Sequence, residues 1–429
     1  MSDLVPEDWE VLTIESVLDN IIDYRGKSPP KSEAGIPLIT AKNVRKGYID
    51  EEPREFIYEN QFDTWMVRGT PRYGDVFITT EAPLGNIAKV PKYKFAIGQR
   101  LLALSPSADI LSSDFLLQIL QGEKFTEQLD LQSTGSTVAG IKQSTFRKMP
   151  LPIPPLPEQQ KIAAILSSVD EVIEKTQAQI NKLKDLKTGM MQELLSPREG
   201  QATNINNPQG ESKNSLHHTE FKDSPLGRIP IGWEVESIED VLDRIIDYRG
   251  KSPPKSEIGV PLITAKNIRQ GFINKEPREY IYEEKFEAWM VRGIPRHGDI
   301  FITTEAPLGN IARVPKYKFA IGQRVLTLSP KVTVTSDYLF YVMQGTCFKE
   351  QLDLQSTGST VAGIKQSTFR KIKLPIPPIF EQEYITKPLN ALNQRIDTVS
   401  VKLDHYKNLK KALMQDLLTG KVRVKVEAA

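Results

Sequence analysis

The stretch QSTGSTVAGIKQSTFRK occupies Gln132–Lys148 and returns at Gln355–Lys371 without one difference. A long self-similarity decides the fold before any local pattern does, and the repetition extends well beyond this stretch. IIDYRGKSPPKSEAGIPLITAKN at Ile21–Asn43 recurs at Ile245–Asn267, with changes only at Ala34/Ile258 and Ile36/Val260. PRYGDVFITTEAPLGNIAKVPKYKFAIGQR at Pro71–Arg100 recurs at Pro295–Arg324, changed at Tyr73/His297, Val76/Ile300 and Lys89/Arg313. A period this long is a duplicated domain and not a solenoid.

At 429 residues the chain has room for two or three domains with cores of their own. Its 39% hydrophobic and 26% charged residues are those of a globular protein. The opening MSDLVPEDWE has acids where a secretory signal would have bases, and no apolar run reaches membrane-span length. A single cysteine, Cys347, excludes an internal disulfide and suits a reducing compartment. The expected location is cytoplasmic, with no membrane partner. A net charge of +2 neither demands nor forbids a nucleic-acid partner.

Within each copy, DVFITTEA and QRLLALSP read as strands between Gly and Pro punctuation. SDFLLQILQGEKFTEQL at Ser113–Leu129 has helical spacing, with Phe115, Leu116, Ile119 and Leu120 on one face. Each globule is thus α+β. After PLPIPPLPEQQ, apolar residues at Ile162, Ile165, Val169, Val172, Leu183, Leu186 and Met190 predict a long helix, with Pro157 suited to its first position. Ile385, Leu389, Leu392, Ile396, Val399, Leu403, Tyr406, Leu413 and Leu417 predict a second, where Leu409 is expected to replace Lys410 in the seam. About 35 residues each makes them roughly 50 Å long. Either the stripes bury on each other, as an antiparallel coiled coil relating the globules by an approximate two-fold axis, or each helix packs on its own globule. The predicted order is globule 1–156, helix 157–196, flexible linker 197–219, globule 220–380 and helix 381–422, with a tail to 429.

Catalytic signatures are missing from the sequence. It has no phosphate-cradling GxxxxGK[ST] loop and no GxGxxG. None of His217, His218, His297 and His405 has a counterpart in the other copy. Glu81 and Glu305, in TTEAPLGN, are the most tempting carboxylates, but they read more simply as part of a turn after a strand. A duplicated protein without a duplicated acid–base pair is read as a binder, with no catalytic and no metal-ligating residues expected.

Three polar stretches carry groups that hold phosphates and base edges. The first offers Arg25, Lys27, Lys42, Asn43 and Arg45, the second Arg68, Arg72, Lys92 and Arg100. The third offers Ser133, Thr134, Ser136, Thr137, Lys142 and Gln143. Their counterparts are Arg249, Lys251, Lys266, Asn267, Arg269, Arg292, Arg296, Lys316, Arg324, Ser356, Thr357, Ser359, Thr360, Lys365 and Gln366. Arg72 and Arg296 are better candidate readers than the differing neighbours Tyr73 and His297.

The chain resembles the specificity subunit of Type I restriction–modification enzymes over essentially its whole length. The resemblance is carried by FKDSPLGRIPIGWEV at Phe221–Val235, IPLITAKNV at Ile36–Val44 and the STGST segment. LPIPPLPEQQKIAAIL at Leu151–Leu166 and KNLKKALMQDLLTGKVRV at Lys407–Val424 add to it. Two departures stand out: PPIFEQEYI in the second copy lacks the proline matching Pro157, and the first helix ends in LLSPREG where the second has LLTGKV. The resemblance implies a reader of double-stranded DNA without a catalytic centre, each globule a target-recognition domain and the helices a spacer and dock. It implies two methyltransferase subunits, which bring S-adenosylmethionine and flip the target adenine. It also implies restriction subunits that use ATP and Mg for translocation and cleavage. Cofactors in this chain are expected to be none.

Nearly identical domains should read nearly identical half-sites, and two-fold placement would make them an interrupted palindrome. Two other readings compete. A stand-alone regulator would bind tightly without partners, and a coiled-coil scaffold would retain no DNA at any salt.

Overall fold

The computed structural model describes residues 5–135, 139–196, 218, 220–358 and 362–426. The predicted linker 197–219, His218 apart, lies outside them. Two compact units divide the chain, Met1–Ala178 with Ser400–Ala429, and Gln179–Val399.

In the first unit, strands Leu18–Asp23, Leu101–Pro106, Val76–Thr80 and Leu84–Lys89 form a four-stranded sheet in that order, all neighbours antiparallel. Every residue of Val76–Thr80 and Leu101–Pro106 is buried, because the sheet is covered on both faces. Successive side chains point to opposite faces. Val76, Ile78, Leu102 and Leu104 therefore join a core with the helices, while Phe77, Leu101 and Ala103 join another. That second core is closed by a small sheet of Lys31–Ser32, Phe56–Ile57, Ile36–Ile39 and Ala96–Ile97. The helical stretch is two helices, not one: Ser113–Leu120, capped by Ser112, and Glu123–Gln132. The break falls at Gly122, where an added Cβ would lie 3.0 Å from the Ile119 carbonyl.

The second unit repeats the sheet with Leu242–Asp247, Val325–Pro330, Ile300–Thr304 and Leu308–Arg313. The long helices are Leu156–Leu195 and Ile379–Leu417, of 40 and 39 residues, so about 60 Å each, where the apolar stripes suggested roughly 50 Å. The first starts at Leu156, one residue before Pro157. Buried Gln159 explains why the second copy can lack that proline. Its Nε2 donates to the Pro154 and Ile110 carbonyls at 2.8 and 2.7 Å, and its Oε1 accepts from the Ser112 amide at 2.9 Å. Gln382 does the same with Pro377, Thr333 and Thr335. A carboxamide, not a proline, fixes both helix starts.

Both expected modes of helix packing occur. Ile162, Ala163, Leu166, Leu417 and Leu418 belong to the first globule's core, and Leu194, Leu195, Ile385 and Leu389 to the second's. Within the first unit the helices run antiparallel, since Asp170 meets Lys410 while Glu158, a few turns earlier, meets Arg423 beyond the other helix's end. One seam expectation is corrected. Leu409 is 41% exposed, whereas the Lys410 side chain is 16% exposed and reaches Asp170 at 2.6 Å. Val172 and Leu186 also face water, at 40% and 54% exposure.

The counterpart of Lys410 is Lys187, and that of Asp170 is Asn393. Lys187 is half-buried, lies 5.5 Å from the Tyr341 ring centre, and has its ammonium pKa lowered by burial and then by Arg313. Its charged form is therefore disfavoured in the folded state, a cost present at neutral pH that fades as the medium becomes basic. Lys187→Met should stabilise the second unit by up to about 1 kcal/mol, while Lys410→Met, which leaves the half-buried Asp170 with Gln118 as its remaining partner, should cost about 1 kcal/mol. Denaturant melts of the two variants measure both signs.

Candidate nucleic-acid interface

At the Thr80 end of Val76–Thr80, several polar stretches converge. Asp23 accepts from the Arg25 amide at 2.9 Å and pairs with its guanidinium at 2.7 Å, and Arg25 Nη1 donates to the Ile141 carbonyl at 3.4 Å. Gln99 Nε2 donates to the Lys27 carbonyl, tying the RGKS and GQR loops together. The Ile141 amide donates to the Thr80 carbonyl at 3.1 Å, and Thr134 and Gly140 exchange backbone hydrogen bonds at 2.9 and 3.0 Å. The described residues of Gln132–Lys148 are thus docked beside Glu81 and Arg100. The second unit repeats this with Asp247, Arg249, Gln323, Lys251, Ile364, Thr304, Thr357 and Gly363.

Arg100 and Arg324 hold φ of +64° and +66°, a left-handed conformation costing a non-glycine residue about 1–2 kcal/mol. Each pairs through Nε with a glutamate, Arg100 with Glu81 at 3.0 Å and Arg324 with Glu305 at 2.6 Å. Arg100 is 53% exposed, and such exposed pairs contribute about 0–1 kcal/mol. Stability does not account for an arginine here. Sequence reasoning set Glu81 aside as a turn residue, because its partner lies beyond a hairpin and an intervening loop.

The structure brings together Arg25, Lys27, Arg68, Arg100 and Thr134, with their counterparts, and Lys142 and Gln143 follow the docked Ile141 directly in the chain. Arg68 is partly consumed, since its Nη1 donates to the Asp23 and Arg25 carbonyls at 2.9 and 2.8 Å, as Arg292 does in the second unit. Ser133 and Ser356 turn their hydroxyls to the Asp130 and Asp353 carbonyls. Ser136, Thr137, Ser359 and Thr360 lie outside the described residues. Arg72 and Lys92 belong elsewhere. Arg72 pairs loosely with Asp19 and Asp75 at 3.6 and 3.9 Å, and Lys92 lies 4.7 Å from the Tyr73 ring. These sit at the Val76 end, about 13 Å from Thr80 along the strand. The Arg296 amide likewise donates to Asp299, at 2.9 Å.

Asn43 is a correction. It is buried, its Oδ1 accepting from the Thr40 amide and hydroxyl at 3.0 and 2.9 Å, its Nδ2 donating to the Asp50 and Pro53 carbonyls at 3.1 Å each. Nothing is left to read an adenine, and Asn267 is engaged in the same way.

Lys42 and Lys266 are exposed. Arg45 pairs with Asp50 at 3.2 Å, where the Glu52 amide and then Arg45 hold the carboxyl below its ordinary range. In the second copy Asn274 replaces Asp50 and Lys275 replaces Glu51. Arg269 consequently has no carboxylate partner among the described residues, so the second hairpin is the more basic. Among the described residues no group of three or more His, Cys, Asp or Glu could hold a metal, and no helix is long and apolar enough to cross a membrane.

The fold defines a class: two like α+β domains, each carrying the same polar loop cluster, joined to paired long helices. Residues 6–185 and 230–404 match the Type I restriction modification DNA specificity domain. The chain is 28% identical to the putative type I restriction enzyme MjaX specificity subunit of Methanocaldococcus jannaschii, over 98% of this chain and 95% of that one. It is 19% identical to the EcoKI specificity subunit of Escherichia coli K12, over 99% and 90%. Its fold matches the S subunit of a type I system from M. genitalium with a TM-score of 0.57 at 14% identity, covering 97% and 98%. A second solved neighbour, from a study of complex assembly and conformational transition of the type I R-M system, has a TM-score of 0.50 at 17% identity. The chain belongs to the family of type I restriction–modification specificity subunits, and its function is DNA sequence specificity.

Proposed function

We propose that each domain reads one half of a bipartite DNA target through the Arg25–Lys27–Arg100–Lys142 cluster, and that the two half-sites are near-identical inverted repeats. The observation that carries this is the recurrence of the same cluster, residue for residue, in both domains. The long helices act as the spacer, and at about 60 Å they exceed the ~34 Å of one DNA turn, so several unread base pairs separate the halves. The chain itself carries no catalysis. Two methyltransferase subunits supply S-adenosylmethionine-dependent adenine methylation, and restriction subunits supply ATP- and Mg-dependent cleavage. The stand-alone regulator and the scaffold are not favoured, since the relatives spanning the whole chain are specificity subunits.

Lys142 and Lys365 are exposed and sit where a phosphate would approach the docked loop. In the complex with methyltransferase subunits, Lys142→Ala with Lys365→Ala should weaken binding about equally for all sequences and lower the salt slope by about 2. An unchanged slope in titrations at several salt concentrations would remove these residues from the interface. Asn274→Asp with Lys275→Glu, which gives the second hairpin the acids of the first, should also lower the slope if the hairpin meets phosphate.

A further inference from the structure

We infer that the Arg100–Glu81 pair, and Arg324–Glu305 in the second domain, reads one G·C base pair in each half-site. This rests on the loop cluster facing DNA, as proposed above. Each guanidinium is engaged by its glutamate through Nε. The contact is an ion pair, and neither guanidinium donates a hydrogen bond to any described residue, so both terminal nitrogens are left as an open fork. That fork matches the O6 and N7 acceptors of guanine in the major groove.

The glutamate argues against a phosphate clamp. A carboxylate beside a phosphodiester is repelled, and the groups on a duplex that suit it are the exocyclic amino groups of cytosine and adenine. Next to an arginine on guanine, the amino group within reach is N4 of the paired cytosine. The pair is also held in place. The Thr80 and Thr304 amides donate to the Arg100 and Arg324 carbonyls at 3.0 Å each. A Cβ added at Gly140 or Gly363 would meet the Glu81 or Glu305 Cβ at 3.3 or 3.4 Å, so the docked loop buttresses the glutamate. Glycine or asparagine would satisfy the left-handed backbone with less strain. The arginine at both positions is therefore kept for its side chain.

The test is selection of bound duplexes from a random pool by the chain assembled with its methyltransferase subunits, comparing wild type with Arg324→Gly and Glu305→Gln. Glycine suits the φ of +66°, so an unchanged thermal melt is expected. Wild type should recover a G·C pair at one shared position of both half-sites. Arg324→Gly should reduce guanine preference there from about tenfold or more to under about threefold, in one half-site only, with the rest of the motif intact. Glu305→Gln should keep the guanine and weaken the pair preference several-fold. Should Arg324→Gly fail to fold, Arg324→Lys keeps the charge without the fork and should lose most of the guanine preference.

A wild-type motif lacking a shared G·C pair, or one unaltered in the arginine variant, overturns the inference and leaves the DNA reading standing. Uniform loss of binding in a folded Arg324→Gly complex also overturns it, making the arginine an affinity residue. An intact wild-type complex that enriches nothing removes the DNA reading and the inference together.

Discussion

Asn43→Ala is expected to destabilise the first unit by about 3 kcal/mol while leaving the base preference of the folded complex unchanged. The side chain fills all four of its hydrogen-bonding positions inside the protein, and it is only 4% exposed. Truncation strands a backbone amide, a hydroxyl and two carbonyls, and each such buried group left unpaired costs about 1–3 kcal/mol. Thr40 and Asp50 are only half-buried and Pro53 is exposed, so water re-pairs part of what is stranded and the total stays below the sum for four buried groups. Asn267→Ala should do the same in the second unit. The contrast is with a base-reading asparagine, whose loss would relax one position of the DNA motif and spare the melting curve. Denaturant melts and duplex selection on the same variant separate the two.

Arg423→Ala is the second large effect expected. Glu158 is 3% exposed and accepts from Trp9 Nε1 at 3.1 Å and from Arg423 at 2.7 Å, while the same guanidinium grips Asp8 at 2.6 Å. Removing one partner of a buried ion pair costs about 3–5 kcal/mol. Arg423 is 42% exposed, so water offsets part of the loss and about 2 kcal/mol is expected. Asp8 adds a pH dependence. The Arg423 hydrogen bond holds its carboxyl below the ordinary value of 3.8. The Asp8 contribution is thus present above about pH 4 and lost as pH falls through the lowered value. The gap between wild type and Arg423→Ala should narrow in acid, as melts at neutral and acid pH would reveal. In the second unit His218 takes the corresponding place, at 2.7 Å from Glu381, which also accepts from Trp233 at 2.8 Å.

The architecture was largely legible in the sequence because duplication and helical periodicity are written in residue order. The strands DVFITT and LLALSP and the two long helices needed no distant partner to be recognised. What the sequence could not reveal was the use made of individual polar groups. Asn43, Arg68 and Arg100 look alike as candidate readers. One is buried in its own loop, one ties two loops together, and one presents an open fork, and each role is set by partners far along the chain. Lys410 and Leu409 differ by a single step of helical phase, which a pattern over many turns does not resolve without Asp170 opposite. The apolar stripe of Ser113–Leu129 read through Gly122, where the structure breaks it into two helices. Glu158 and Gln159 stood in a recognised phrase, but their tasks at the helix start depend on Trp9, Ser112 and Arg423.

Two near-identical domains are proposed to read two near-identical, inverted half-sites. The most direct measurement is selection of duplexes from a random pool by the chain co-expressed with its candidate methyltransferase subunit, at two salt concentrations. An interrupted inverted repeat whose halves agree at nearly every position is expected. A direct repeat, two unrelated half-sites, or no enrichment by an intact complex would contradict it.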